Sequence, residues 1–277
     1  MAERMLVDLK SRHALVTGGG TGIGRALSIG LARCGATVVV NYSRSEQEAN
    51  ETVEEILRAG GQAIAVKADV TDENQVERLV NEAVQEFGGL EILVANAGGP
   101  TGTFPTDELS GEEWDKGLDL NCKSVFYCAK HALRHLPDGT GRIIVTSSIS
   151  GRSGGAPGGI TYAAAKGAIY NMVRSWAKEY GPRGITANAI APGLIWTRIH
   201  KGGNRSRVLP ATDHPRSPGA GRAAGRLRRT GVAAGRRRRQ LHHRSNHRSQ
   251  RRHADAMKRT PEARRPAASR FTGDHSR

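Results

Sequence analysis

Cysteine is scarce in this 277-residue chain, with Cys34, Cys122 and Cys128 the three present. They are too few and too scattered for a disulfide frame or a cysteine metal box, and the shortage fits a reducing cytoplasm. No apolar run approaches the roughly 18 residues of a membrane span, and no secretory leader is recognisable. The expectation is a cytoplasmic protein with no membrane partner.

Acid is scarce in one region. Of the 26 Asp and Glu residues 4 follow His200, against 22 of the 42 Lys and Arg, so residues 201–277 carry +18 and the first 200 residues −2. This tail also has a single aromatic, Phe271, few large aliphatics, no helical or strand period, and runs such as Arg236-Arg237-Arg238-Arg239. Such a composition cannot offset its ordering entropy, so disorder is expected. His242, His243, His247 and His253 sit among arginines, whose charge opposes a divalent ion, and no metal site is expected. Clustered arginine attracts nucleic acid without sequence preference, so nucleic acid is expected as a partner only non-specifically and through the tail.

What is present in the first 200 residues is a repeating alternation. Apolar runs at 14–17, 37–41, 63–68, 92–95, 142–147 and 186–190 read as strands. Between them, helical stretches are predicted over 25–33, 46–59, 75–87, a long 112–136, and 161–180. Short, nearly continuous apolar strands separated by amphipathic helices imply an α/β fold, a doubly wound parallel sheet covered on both faces, with ligands at the carboxyl ends of the strands. Gly18, Asn96, Ser148 and Pro192 all follow such ends.

The first strand runs into Thr17-Gly18-Gly19-Gly20-Thr21-Gly22-Ile23-Gly24 and then a helix. Glycines let the backbone turn tightly beside a pyrophosphate, and the helix's unpaired amides face the anion. The spacing Gly18-x-x-x-Gly22-x-Gly24 is not the G-x-G-x-x-G fingerprint, and an ordinary glycine-rich turn is the alternative. Tyr162 and Lys166 stand four apart, one turn along a helix and on one face. A nearby positive charge favours the phenolate, so Lys166 is expected to lower the Tyr162 pKa and make the hydroxyl a usable acid or base.

As a set, Thr17-Gly18-x-x-x-Gly22-x-Gly24, Asn96-Ala97-Gly98, Asn121, Ser148, Tyr162-x-x-x-Lys166 and Pro192-Gly193 resemble the short-chain dehydrogenase/reductase family, over residues 6 to about 200. The resemblance implies a single Rossmann domain over 1–200, C-terminally incomplete, followed by the basic tail over 201–277. It implies catalysis by Asn121, Ser148, Tyr162 and Lys166. Tyr162 would exchange the proton with the substrate oxygen, Ser148 would stabilise the developing charge, and Asn121 would anchor a water linking Lys166 to solvent. Ser147 and Ser150 compete for the serine role. The dinucleotide would be held by Gly18, Thr21, Gly22, Ile23 and Gly24, by Asp69 and Val70, by Asn96, Ala97 and Gly98, by Tyr162 and Lys166, and by Pro192, Gly193, Ile195 and Thr197. Asp69 would contact adenine, or else cap the helix near Gln75.

No carboxylate ends the second strand before Glu46; Ser43 and Arg44 are there instead. They suit a 2′-phosphate, so NADP(H) is favoured over NAD(H), although Arg44 also reads as a solvated loop cation. The stretches 38–55 and 188–192 look most like the 3-oxoacyl-carrier-protein reductase branch, with Arg183 suited to an acidic carrier, while the loop 137–140 departs from it. The implied partner is a small carbonyl or alcohol substrate or a carrier-protein thioester, and the family's usual homo-oligomer is a dimer or tetramer. Sugar, polyol and steroid dehydrogenases share the same motifs, and an inactive nucleotide-binding remnant is the reading from another class. For the tail the expectation is a frameshift between about His200 and Pro215. Codons available to Gln240 through Ala256, read one nucleotide later, give a strand like the family's C-terminal one, and an intact single frame with other codons would defeat that reading.

Overall fold

The computed structural model describes residues 7–195, which lie within one unit, Met1–Ser206. The expected disordered tail over 201–277, its frameshift origin and the contact assigned to Thr197 lie outside the described residues.

Six strands form one parallel sheet in the order β3-β2-β1-β4-β5-β6. They are β1 (His13–Val16), β2 (Thr37–Tyr42), β3 (Gln62–Lys67), β4 (Ile92–Ala95), β5 (Arg142–Thr146) and β6 (Thr186–Ile190). All six positions of β2 and all four of β4 are buried, because these strands are covered on both faces. Alternate side chains enter two cores. Leu15, Val39, Leu93 and Ile143 face α3 (Glu73–Phe87), α5 (Ser124–Ala132) and α7 (Ile160–Tyr180). Val16, Val38, Val40 and Val94 pack with residues of α1 (Gly22–Arg33) and α2 (Glu46–Arg58). The strand order reverses between β1 and β4, and a doubly wound sheet opens a crevice at the carboxyl ends where that happens. No helix among the described residues is long and apolar enough to cross a membrane.

Three helices differ from expectation: α1 begins at Gly22 rather than Arg25, and the other two differ for local reasons. The stretch predicted as one helix over 112–136 is α4 (Gly111–Leu118), a wide π turn at Asp119–Lys123, and then α5. Asn121 sits in that turn, fully buried, and its Nδ2 donates to the Gly117 carbonyl, four residues back, at 3.0 Å. The side chain thus takes an acceptor that the helix ladder would otherwise use. The third helix starts at Glu73 rather than Gln75 because Asp72 caps it, accepting from the amides of Asn74 and Gln75 at 2.9 and 3.2 Å. The capping alternative for Asp69 is corrected by this: Asp69 instead holds Thr71, through both its amide and its hydroxyl. A short helix, α6 (Ser150–Ser153), stands between β5 and α7.

Candidate active site

The polar groups at the strand ends are linked in sequence across the sheet. Asn41, buried at the end of β2, accepts from the Gly18 amide at 3.2 Å through its side chain and from the Gly19 amide at 2.9 Å through its carbonyl. Its Nδ2 donates to the carbonyls of Val66 and Ala68, tying the glycine turn to the end of β3. Thr17 Oγ1 accepts from the amides of Asn96 and Ala97, and Asn96 Nδ2 donates to the Thr17 carbonyl. Asn96 Oδ1 in turn accepts from Thr146 Oγ1 at 3.1 Å. Lys166 Nζ donates to the Thr146 carbonyl at 2.8 Å, and Ser147 Oγ donates to the Lys166 carbonyl at 2.9 Å. Asn41 was missed as a site residue; its signal is an amide inside a strand buried at every position.

A cleft of about 400 Å³ opens over this lattice. Gly18, Thr21, Gly22, Ile23, Gly24, Asn96, Ala97, Gly98, Ser148, Tyr162, Lys166, Pro192, Gly193 and Ile195 all line it, as the sequence reading expects, together with Gly99, Pro100, Thr146, Ser147, Ser150 and Leu194. Ser43 and Arg44 are exposed where β2 ends, and Asp69 and Val70 follow β3, outside the cleft lining. A larger hollow of about 650 Å³, bordered by Lys10, Cys34, Thr37, Glu55 and Gln62, lies at the opposite ends of β2 and β3 and gathers none of these groups.

Of the three candidate serines, Ser147 is committed to the Lys166 carbonyl, and Ser150 turns its amide onto Ser148 Oγ at 3.1 Å. Ser148 is the one that interacts with the Tyr162 phenol. Asn121 lies beneath the cleft: its Oδ1 accepts from the Gly99 amide and its Nδ2 donates to the Gly99 carbonyl, both at 2.9 Å. Both ends of the side-chain amide therefore brace the turn after β4.

The electrostatics differ from expectation in one respect. Burial pushes the Tyr162 phenol above its ordinary pKa, and hydrogen bonding with Ser148 pulls it part of the way back. The net shift is upward, against the lowering expected from Lys166. Its Nζ lies over the ring face, 5.6 Å from the centroid, and its own proton is destabilised by burial, which moves the ammonium down to about 8.

Arg183 also has another place. It stands just before β6, where its Nε pairs with Asp138 at 2.8 Å and its Nη2 donates to the Leu136 carbonyl. These are the amino ends of β5 and β6, while Ser148 and Pro192 follow their carboxyl ends. Arg183, expected as a contact for an acidic carrier, thus stands at the end of the sheet opposite the cleft, in an exposed ion pair with Asp138.

The family model for short chain dehydrogenases matches residues 12–207. The hydroxynaphthalene reductase-like protein Arp2 of Metarhizium guizhouense is 44% identical over 194 residues, covering 70% of this chain and 72% of that protein. Versicolorin reductase 1 of Dothistroma septosporum is 45% identical over 192 residues, covering 69% and 72%. A solved short chain dehydrogenase from Burkholderia cenocepacia, in complex with NADP, superposes with a TM-score of 0.66 at 39% identity, covering 68% of this chain and 76% of that one.

Two outcomes follow from the geometry. A Cβ on Gly24 would overlap the Gly18 carbonyl oxygen and come within 2.6 Å of Asn96 Nδ2. Gly24→Ala is expected to weaken dinucleotide binding, measured by fluorescence titration, by about tenfold or more while the protein stays folded. The second concerns Lys166. In the unfolded chain it keeps its proton up to about 10.5, and in the folded chain it loses it near 8, so between those values the unfolded state binds more protons. The stability of the wild type relative to Lys166→Met should therefore rise as pH climbs from about 8 to 10.5, read by denaturant unfolding; a flat difference would refute it.

Proposed function

The chain belongs to the short-chain dehydrogenase family, and we propose that it is an NADP(H)-dependent reductase of neutral, fused-ring phenolic ketones. As a family member it is an oxidoreductase acting on carbonyl and CH–OH groups. The observation that carries the finer reading is the composition of one cleft: Ser148, Tyr162 and Lys166 share it with the glycine turn, and among the described residues Lys166 is its only charged lining residue.

The residues fit a dinucleotide. Gly24 leaves a cradle that a single Cβ would fill, at the amino end of α1, where unpaired amides favour a pyrophosphate. Gly18, Thr21, Gly22 and Ile23 would hold that group, Asn96, Ala97 and Gly98 the ribose, and Pro192, Gly193 and Ile195 the nicotinamide end. When bound, the dinucleotide supplies the hydride to the carbonyl carbon.

Tyr162 gives its proton to the substrate oxygen as the new C–H bond forms, and Ser148 donates a hydrogen bond that holds the charge developing there. A raised phenol pKa suits this direction, because the hydroxyl stays protonated until the oxygen becomes strongly basic. Lys166, protonated below about 8, lies close enough to steady the phenolate left behind. Asn121 serves indirectly, fixing the turn at Gly98 and Gly99 against Lys166.

Substrate class is read from the rim. Leu194 and Ile195 of the cleft lining, and Ile149 beside Gly193, are large apolar side chains left exposed, with Leu194 76% accessible. Such a rim takes a flat apolar body and gives no purchase to an anion. Relatives named for hydroxynaphthalene and versicolorin reduction support the same class. A 3-oxoacyl thioester is the second reading, weakened by the position of Arg183. For the cofactor, Arg44 at the exposed end of β2 and the NADP bound by the Burkholderia neighbour support the phosphorylated form.

The test is NADPH oxidation by the full chain with a bicyclic hydroxynaphthalenone and with an acetoacetyl thioester. The ketone is expected to show the higher kcat/KM by about tenfold or more, with Tyr162→Phe lowering kcat by at least about a hundredfold and leaving NADPH binding intact. The opposite ranking would reject the substrate class, and unimpaired turnover by Tyr162→Phe would reject the site. Arg44→Glu should shift the NADPH-to-NADH preference by about tenfold toward NADH; an unchanged ratio would remove Arg44 from cofactor selection.

A further inference from the structure

Three consecutive residues where β5 ends are each hydrogen-bonded to α7. The Thr146 carbonyl accepts from Lys166 Nζ at 2.8 Å, the Ser147 hydroxyl donates to the Lys166 carbonyl at 2.9 Å, and the Ser148 carbonyl accepts from the Tyr170 hydroxyl at 2.9 Å. The first two bonds locate Lys166. The third joins the serine segment to the helix that carries the phenol, through a residue placed four after Lys166 and therefore on the same helical face.

The rest of the serine segment is held by turn bonds. The Gly151 amide also donates to the Ser148 carbonyl and the Ile149 amide to the Pro192 carbonyl, both at 3.1 Å. Beyond them lies α6, of four residues. Arg152 of that helix places its guanidinium over the Tyr170 ring, 5.1 Å from the centroid. One side chain of α7 thus grips the serine peptide with its hydroxyl and the following turn with its ring. The Ser148 hydroxyl is in turn aimed by the Ser150 amide, so its orientation depends on that same turn.

We propose that Tyr170 is a positioning residue for carbonyl reduction, its hydroxyl fixing the Ser148 peptide against α7 and thereby setting the reach between the Ser148 hydroxyl and the Tyr162 phenol. This rests on the roles given above to Ser148 and Tyr162. The hydroxyl is not needed to satisfy a buried acceptor, because the Ser148 carbonyl keeps its bond from the Gly151 amide when the phenol is removed. Tyr170→Phe keeps the ring beneath Arg152 and deletes the grip alone. The consequence is a serine free to drift from the phenol, with the interaction that holds the Tyr162 pKa down weakened.

The experiment compares the full chain with Tyr170→Phe, Tyr162→Phe and the double variant. One arm measures kcat and KM for carbonyl reduction by NADPH as a function of pH. The other follows phenolate absorbance during alkaline titration and takes the difference between each protein and its Tyr162→Phe counterpart, which reports Tyr162 without any substrate. Tyr170→Phe is expected to lower kcat about tenfold, to leave KM for NADPH unchanged, and to move both the alkaline limb and the Tyr162 titration to higher pH. Wild-type kcat together with an unmoved titration overturns the positioning role. So does a loss of activity that merely tracks a lowered Tm while the titration stays in place. Full turnover by Tyr162→Phe would overturn the site reading itself; an inactive Tyr162→Phe beside an unaltered Tyr170→Phe overturns only the role of Tyr170.

Discussion

The bond from Lys166 Nζ to the Thr146 carbonyl fixes the site, because it places an ammonium where the sheet would otherwise admit only apolar groups. Lys166 is 2% exposed, and burying a charge is costly unless it is well paired. Its surroundings are shaped to admit it. A Cβ on Gly98 would come within 3.3 Å of Nζ, and one on Gly151 within 2.6 Å of the Lys166 carbonyl, so two glycines from different loops make room for this residue and its helix. Asn121 leaves its own helix ladder to brace the turn between them. Thr146 connects the same bond, through Asn96 and Thr17, to the glycine turn after β1.

That lattice explains which parts were legible in the sequence. The six strands were visible as apolar runs and agree to within a residue or two at each end, because strands covered on both faces need no polar alternation. The cleft-lining glycines, Asn96, Ser148, Tyr162 and Lys166 were visible as a set of short motifs in order, each following a strand end or sharing one helix face. The π turn was not visible. It arises because the Asn121 amide meets Gly99, 22 residues earlier in sequence, and helical periodicity over 112–136 carries no trace of that meeting. Asn41 and Tyr170 escaped for the same reason: each is an ordinary residue for its element until its partner across the sheet end is known. The Asp72 cap was within reach, since an acidic residue three before a glutamine marks a helix start.

Proximity along a helix brought the two partners together, and burial turned the net shift of the phenol upward. Four-residue spacing brings Tyr162 and Lys166 together, but the same burial that protects the reaction also desolvates both groups. Desolvation raises a phenol and lowers an ammonium, so the two pKa values move toward each other. The phenol therefore lies above its ordinary pKa, with Ser148 pulling it part of the way back. A proton donor for carbonyl reduction is well served by that state.

Charge distribution around the cleft narrows the chemistry further. With Lys166 the only ionisable cation lining it among the described residues, and that one bonded to the backbone and partly neutral above about 8, a substrate carrying an anion near its carbonyl would lose hydration without gaining a partner among them. The exposed leucine and isoleucines at the rim compensate a different loss, the removal of apolar surface from water. Arg183, the cation that suggested a carrier-bound thioester, pairs with Asp138 at the far ends of β5 and β6. The proposed neutral ring system with one reducible carbonyl would meet both conditions, presenting its oxygen to Ser148 and Tyr162 and its face to the apolar rim.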